Sequence, residues 1–348
     1  MIRLENLTVQ LKQFTLSGIN LEVEKGEYFI ILGPTGAGKT LLLETIAGLR
    51  KSDAGAIFIN DVDVTHMETE KRKIGFVYQD YALFPHLSVR DNIIFGLKCR
   101  RAHKIAIAMK LLQLANLLNI APLLERRPET LSGGEKQKVS LARALSTDPD
   151  VVLLDEPISA LDPQQRESVQ NDMKDICKKL NRTFIHVTHN FEEAIALGDR
   201  IAVLSEGRLV QSGTPEEIFH HPNSEFVARF SMARNVFAGS VTDDGYGGAI
   251  FTIDDNKLEV VTELRGQLHA SVRPEDILIS REMLISSARN SIKGKITHVD
   301  DRGATLYITV STPIPFVCLV TRRSYEELGL SEGSEAYITF KASAIQVF

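Results

Sequence analysis

Residues 28–47 read YFIILGPTGAGKTLLLETIA, and the order of textures in that stretch decides the fold. Tyr28 to Leu32 is a short apolar run of the kind that forms a buried strand, and LLLETIA reads as the helix that follows. Between them Gly33 to Thr40 spells G-x-x-x-x-G-K-T, in the strand–loop–helix setting that this motif requires. The glycines let successive backbone N–H groups turn inward onto anionic oxygens at a helix N-terminus. Gly33, Pro34, Thr35, Gly36, Ala37 and Gly38 are therefore expected to cradle the phosphates of ATP. Lys39 is expected to neutralise the β and γ phosphates, and Thr40 to offer a hydroxyl to Mg²⁺.

Outward from this loop, the apolar runs at Val151–Leu154, Thr183–Val187 and Ile201–Leu204 are separated by helix-like segments. That alternation predicts a mostly parallel sheet covered on both faces. VVLLDEP, Val151 to Pro157, is a strand ending in two acids. Taken alone such a pair is usually a solvated loop; beside a phosphate loop, Asp155 is expected to hold the metal shell and Glu156 to polarise an attacking water. His189 follows another strand of the same sheet and is placed to contact the γ phosphate. From about Val89 to Leu124 apolar residues recur every three or four positions, which predicts an inserted helical subdomain over about 86–145.

The chain has 348 residues, enough for two domains, and its texture changes after Arg234. Short alternating segments such as NVFAGSV, AIFTI, LHASV, ATLYITV and AYITF, broken by Gly, Asp and Pro, predict an all-β, OB-like barrel domain over 231–348 behind an α/β domain over 1–230. A net charge of −5 argues against nucleic acid as a partner. No apolar run approaches the roughly 18 residues that span a bilayer, and MIRLENLTVQ lacks signal-peptide regions, so the chain is expected in the cytoplasm. Cys99, Cys177 and Cys318 are far apart and read as reduced thiols.

LSGGEKQ, Leu131 to Gln137, opens a helix and so presents a helix N-terminus to an anion. With this motif, positions 1 to about 230 resemble the ATP-binding-cassette ATPases: a P-loop, RecA-like α/β core with antiparallel-β and helical subdomains. The resemblance implies that Ser132, Gly133, Gly134 and Glu135 contact the ATP held by a second copy of the chain. It makes Gln79 a γ-phosphate sensor and metal-shell residue, and Ser159, Ala160, Leu161 and Asp162 a loop speaking across the dimer. Three positions depart from the family pattern. Leu11 stands where an aromatic usually stacks on adenine, leaving Phe14 as the candidate; Glu135 stands where Gln is common, and Asn190 where Asp is common.

YALFPHLSVRDNI, Tyr81 to Ile93, resembles the segment by which importer ATPases receive a membrane subunit, which implies two transmembrane permease subunits, an external binding protein and a peripheral place on the cytoplasmic face. The contrary reading, a non-transport ABC ATPase, has no coiled-coil arm or basic tail to support it. NVFAG and SVRPEDI resemble the TOBE-type regulatory barrel, and ISSARNSIKGKITHV with KAS near the end resembles small molybdate-binding proteins. This implies molybdate or tungstate import and a regulatory oxyanion site of Ser287, Arg289, Asn290, Lys341 and Ser343, whose hydroxyl, guanidinium, amide and ammonium groups suit a tetrahedral dianion. Sulfate, another tetrahedral dianion, is the nearest alternative cargo.

Overall fold

The computed structural model describes the chain apart from Ala160, Asp162, Met232, Ala233, Tyr246 and Gly247 and the side chains of Pro163, Gln164, Gln165 and Ser168. It divides into two compact units, Met1–Pro215 and Glu216–Phe348.

In the first unit β1 (Ile2–Gln10), β2 (Thr15–Val23), β3 (Tyr28–Leu32), α1 (Lys39–Ala47), β4 (Ala54–Ile59), β5 (Val62–Asp63) and β6 (Ile74–Val77) precede three helices, α2 (Val89–Cys99), α3 (Lys104–Leu117) and α4 (Gly133–Leu145). Then come β7 (Val151–Asp155), α5 (Pro163–Leu180), β8 (Thr183–Thr188), α6 (Phe191–Leu197), β9 (Arg200–Ser205) and β10 (Arg208–Gly213). A six-stranded sheet runs β10-β9-β3-β8-β7-β6, parallel but for β10. A four-stranded antiparallel sheet runs β2-β1-β4-β5. Residues of both sheets share one apolar core with α1, where Leu41, Leu42 and Leu43 are all buried. That position explains a helix with three consecutive leucines, since it has apolar neighbours on more than one side.

Gly33 ends β3 where a β-carbon would lie 2.2 Å from the Leu204 carbonyl oxygen of β9, so only glycine lets the chain turn there. At Gly38, the residue before α1, φ is +99°, and the Phe14 ring and Leu16 press on the same spot.

The second unit begins within the first turn of α7 (Pro215–His220), some 15 residues before the 230/231 boundary read from texture. α7 and α8 (Glu225–Phe230) are helical like the elements before them, but they and the residue after α7 bond to the β domain. Arg273 donates to the Phe219 carbonyl, His221 meets Gln346 at 3.2 Å, and Glu225 pairs with His269 at 3.2 Å. One five-stranded sheet runs β13 (Asn256–Val260), β12 (Ala249–Ile253), β11 (Asn235–Asp243), β14 (Gly266–Val272), β20 (Ile345–Val347). The other runs β15 (Leu278–Ser280), β19 (Glu335–Phe340), β16 (Asn290–Asp301), β17 (Thr305–Ser311), β18 (Phe316–Thr321), with a short α9 (Arg322–Glu327) after β18. The sheets share one core, with Phe316 5.0 Å from Phe237 and 5.4 Å from Phe340 between ring centres.

Two buried asparagines tie one sheet to the other. Asn235 on β11 accepts from Val317 N–H at 2.6 Å and donates to the carbonyls of Val317 and Val272 at 2.8 and 3.1 Å. Asn290 on β16 does the same to Glu259 on β13, accepting from its N–H and donating to its C=O, both at 2.9 Å. An amide carries a donor and an acceptor side by side and so satisfies both backbone groups of one residue.

Candidate active site

Parallel pairing brings the sequence-predicted residues together. β7 and β8 are neighbours with Asp155 opposite Val187, so the acids ending β7 and the histidine following β8 emerge at the same sheet edge. Gln79, Asp155, Glu156, Ser159 and His189 line one cleft of about 680 Å³. The His189 Nδ1 lies 3.0 Å from Glu156 Oε1. Glu156 itself adopts φ +43°, a left-handed backbone that a non-glycine residue rarely takes, and its N–H donates to the Val187 carbonyl at 3.0 Å.

The phosphate loop adjoins this cleft. Thr40 Oγ1 donates to Asp155 Oδ1 at 3.0 Å, and Lys39 Nζ stands 4.0 Å from Glu156 Oε1. Lys39 is almost wholly buried and folded back on the loop, donating to the Gly33 and Pro34 carbonyls at 2.8 and 2.9 Å. Burial lowers its ammonium, opposed by the charges of Glu156 and Asp155. Burial likewise raises the Asp155 carboxyl, opposed by the Thr40 hydrogen bond. A buried cation and a buried acid thus stand together beside the phosphate loop. An ammonium beside hydroxyl and carboxylate oxygens has the chemistry to meet an anion and a hard cation together.

Phe14 sits in the β1–β2 turn, half-buried, packed on the shared core and against Gly38. Leu11, in the same turn, is exposed.

Comparison with known proteins places the chain in a family. The ABC transporter family pattern matches residues 16–159, and the TOBE domain pattern matches residues 286–347. The chain is 45% identical over 349 aligned residues, all of both chains, to the molybdate/tungstate import ATP-binding protein WtpC of Pyrococcus abyssi. It is 41% identical over 288 residues to the sulfate/thiosulfate import ATP-binding protein CysA of Xylella fastidiosa, covering 81% of each. Among solved structures it resembles a dimeric post-hydrolysis ATP-binding cassette, MJ0796, bound to ADP and Pi (TM-score 0.55, 28% identity, 62% of this chain and 99% of that one). It also resembles cbiO1 of Clostridium perfringens, part of an ABC transporter complex (TM-score 0.59, 28% identity, 63% and 90%). The chain belongs to the ABC transporter import ATP-binding proteins. It is an ATPase coupled to transport, with a cassette followed by a TOBE domain of β-strands.

Within this ABC cassette, Ser132 caps α4: its hydroxyl accepts from Glu135 N–H at 3.3 Å, while Glu135 accepts from Ser132 N–H at 2.8 Å. Glu135 thus closes the capping box, and Arg126 pairs with it at 3.5 Å. Ser132 is exposed, and none of Ser132, Gly133, Gly134 and Glu135 lines the cleft. Leu161 is buried and lies where a β-carbon on Gly133 would be 3.0 Å away, so it packs on the start of α4. Ser159 Oγ donates to the Glu156 carbonyl at 2.9 Å; Ala160 and Asp162 of the same loop lie outside the described residues.

Arg143 and Ser140, which the motifs did not single out, grip the loop after Gln79. Arg143 donates to the carbonyls of Tyr81 and Ala82 at 3.0 and 2.7 Å, and Ser140 to Tyr81 at 3.1 Å. Tyr81 and Ala82 both have positive φ, at +64° and +44°. The helix whose N-terminus carries the LSGG motif therefore holds the segment that carries Gln79.

In the TOBE-bearing unit the five oxyanion residues do not form one cluster. Asn290 is corrected: it is the inter-sheet tie described above, with both ends of its amide engaged. Ser287 is exposed, and Arg289 is 73% exposed with Glu259 at 4.0 Å. Lys341 and Ser343 line a different feature, a cavity of about 320 Å³ shared with Ser271, Arg273, His220 and Asp276. β14 supplies Ser271 and, one residue past its end, Arg273, both within the SVRPEDI segment, which sequence alone marks as barrel and not as part of the oxyanion site.

Proposed function

We propose that the chain is the ATP-hydrolysing subunit of a molybdate or tungstate importer. It works as a pair of copies against two transmembrane permease subunits on the cytoplasmic face, supplied by an external oxyanion-binding protein. The cargo reading is supported by the end-to-end match to molybdate/tungstate import proteins; the match to the sulfate/thiosulfate protein spans only 81% of the chain. No helix among the described residues is long and apolar enough to cross a membrane, which fits a subunit that needs membrane partners.

The observation carrying the hydrolytic reading is the Glu156 carboxylate, held between His189 at 3.0 Å and Lys39 at 4.0 Å in the cleft lined by Gln79. Backbone N–H groups of Gly33 to Gly38 and the Lys39 ammonium hold the ATP phosphates. Glu156 accepts a proton from the attacking water, and His189 and Gln79 face the γ phosphate. Hydroxyl and carboxylate oxygens suit a hard cation, so Thr40 and Asp155, with Gln79, are the residues that would hold Mg²⁺. When bound, that ion supplies charge neutralisation at the β and γ oxygens. Ser132, Gly133 and Gly134, outside the cleft and at an exposed helix start, serve the ATP of the second copy. Glu156→Gln should leave ATP binding intact and lower turnover on the order of 10²- to 10⁴-fold. Hydrolysis near the normal rate would remove Glu156 from this role.

The TOBE-bearing unit acts as a gauge of the imported oxyanion. Lys341, Ser343, Arg273 and Ser271 line the 320 Å³ cavity together with His220 and Asp276 and offer ammonium, hydroxyl and guanidinium donors for an oxyanion. Oxyanion bound there slows hydrolysis to the extent that it favours the separated over the ATP-closed pair of cassettes. ATPase of the full complex should fall as tungstate rises, and an unchanged rate at saturating tungstate would overturn the gauge.

A further inference from the structure

Behind His189 lies a buried polar chain that belongs to none of the motifs. Glu193, in the first turn of α6, is 2% exposed and accepts from the Thr188 hydroxyl at 2.7 Å. The same Thr188 oxygen accepts from Asn190 N–H at 2.9 Å, and the Asn190 side chain caps α6 by accepting from Glu193 N–H at 3.2 Å. Further in, His186 Nε2 lies 3.7 Å from the Glu193 carboxylate and has no hydrogen-bond partner, while His186 Nδ1 meets the Tyr28 hydroxyl at 3.1 Å. Arg166 of α5 is close enough to act on Glu193 through its charge, as are His189 and Glu156.

A glutamate at this place in a helix ordinarily reaches back to the N-cap backbone N–H and stays in water. Here the Thr188 hydroxyl takes that N–H instead, and Glu193 is turned inward to hold the hydroxyl. Burying a carboxyl group with one strong hydrogen bond and an unpartnered imidazole nitrogen opposite is costly, so the arrangement calls for a reason beyond packing. Its geometric effect is specific. Thr188 and Asn190 are the residues on either side of His189; the Glu193 carboxylate holds the Thr188 hydroxyl, and that hydroxyl in turn takes the Asn190 N–H. His189 is itself 51% exposed, so no packed wall sets its ring; apart from its contact with Glu156, its place is fixed by its backbone.

We propose that Glu193 is a positioning residue for hydrolysis, acting through Thr188 and Asn190 to keep His189 against Glu156 and the γ phosphate. The inference rests on the hydrolytic reading above, and its test separates the two. In steady-state ATPase assays of the full chain, Glu193→Ala should lower kcat on the order of 10- to 100-fold, the scale of a small misplacement of a catalytic group, with KM for ATP changed less than about twofold. Glu193→Gln, whose amide oxygen can still accept from Thr188, should restore most of the rate. In a His189→Ala background the Glu193→Ala change should add nothing, because residues acting through one another are non-additive. Should Glu193→Ala fail to fold, Thr188→Val removes the linking hydroxyl at nearly constant volume and should give the same kcat-only loss and the same non-additivity.

A loss of equal size with and without His189, a KM rise in place of a kcat loss, or a Gln variant as impaired as Ala would each overturn the positioning role. Unimpaired turnover in His189→Ala itself would remove the reading of His189 on which it rests, and would be distinguishable from all of these.

Discussion

Acid should loosen the first unit through a single imidazole. His186 is fully buried in the centre of β8, and burial pushes its pKa from an ordinary 6.5 down to about 3. In the unfolded chain the same group titrates near the ordinary value. Between those two values the unfolded state binds a proton that the folded state does not, so stability rises with pH there. His186's contribution is complete above about 6.5 and is lost as pH falls toward about 3, at up to about 1.4 kcal/mol per unit. From pH 6.5 to 5 that is about 1.5 units, or about 2 kcal/mol. Glu193 works in the other direction: burial raises its carboxyl above the ordinary 4.5, so its contribution is present at low pH and lost as pH rises through the raised value. The two are separated by substitution. His186→Asn keeps an amide nitrogen where Nδ1 meets the Tyr28 hydroxyl and removes the titration. Urea unfolding followed by circular dichroism at pH 7 and pH 5 should show wild type losing about 2 kcal/mol more than the variant. Equal losses would mean that the ring takes up its proton within the fold, refuting the assignment of a neutral buried imidazole.

Lys39→Ala should weaken ATP binding by about 1.5–3 kcal/mol, on the order of 10- to 100-fold in Kd by calorimetry, whereas Glu156→Gln should spare it. Gly33→Ala would set a methyl 2.2 Å from the Leu204 carbonyl oxygen and should destabilise the chain by about 1–3 kcal/mol; an unshifted melting temperature would contradict that packing. Asn290→Ala should destabilise the second unit by about 1–3 kcal/mol, by stranding the Glu259 backbone groups, and leave tungstate affinity unchanged. Lys341→Ala should do the reverse, and calorimetric titration of the full chain beside its unfolding curve checks both.

What the sequence disclosed and what it withheld follow from how far each interaction reaches along the chain. GPTGAGKT could be read because the loop's conformation, its glycines and its lysine are all neighbours, and the strand and helix that frame it are adjacent in sequence. Glu156 and His189 are 33 residues apart but each lies just past the end of a buried strand, and parallel order alone suffices to bring two strand ends together. Glu193 gave no such sign. A glutamate in the first turn of a helix is what capping predicts, and only the inward turn onto Thr188 distinguishes it. Asn290 misled for the same reason: SARN reads as a string of polar donors, and nothing in the string reveals that the last amide is consumed by Glu259, on another strand 31 positions earlier. The compact units divide some 15 residues before the boundary read from texture, since α7 and α8 look like more of the cassette but bond to the barrel side chains.

The proposed mechanism requires a pair of chains. One chain supplies an acid pair and a histidine lining one cleft, a phosphate loop joined to it through Thr40 and Lys39, and a separately capped helix start whose SGG residues stay outside that cleft. Glu135 spends its carboxylate inside the capping box and on Arg126, so the negative charge at this helix start is locally satisfied and the N-terminus stays suited to an incoming anion. Leu161 packs on Gly133 from the loop that also carries Ser159, whose hydroxyl bonds the Glu156 carbonyl. In the proposed mechanism, an ATP phosphate of a second copy that presses on Ser132 to Gly134 would bear directly on the Leu161–Gly133 packing.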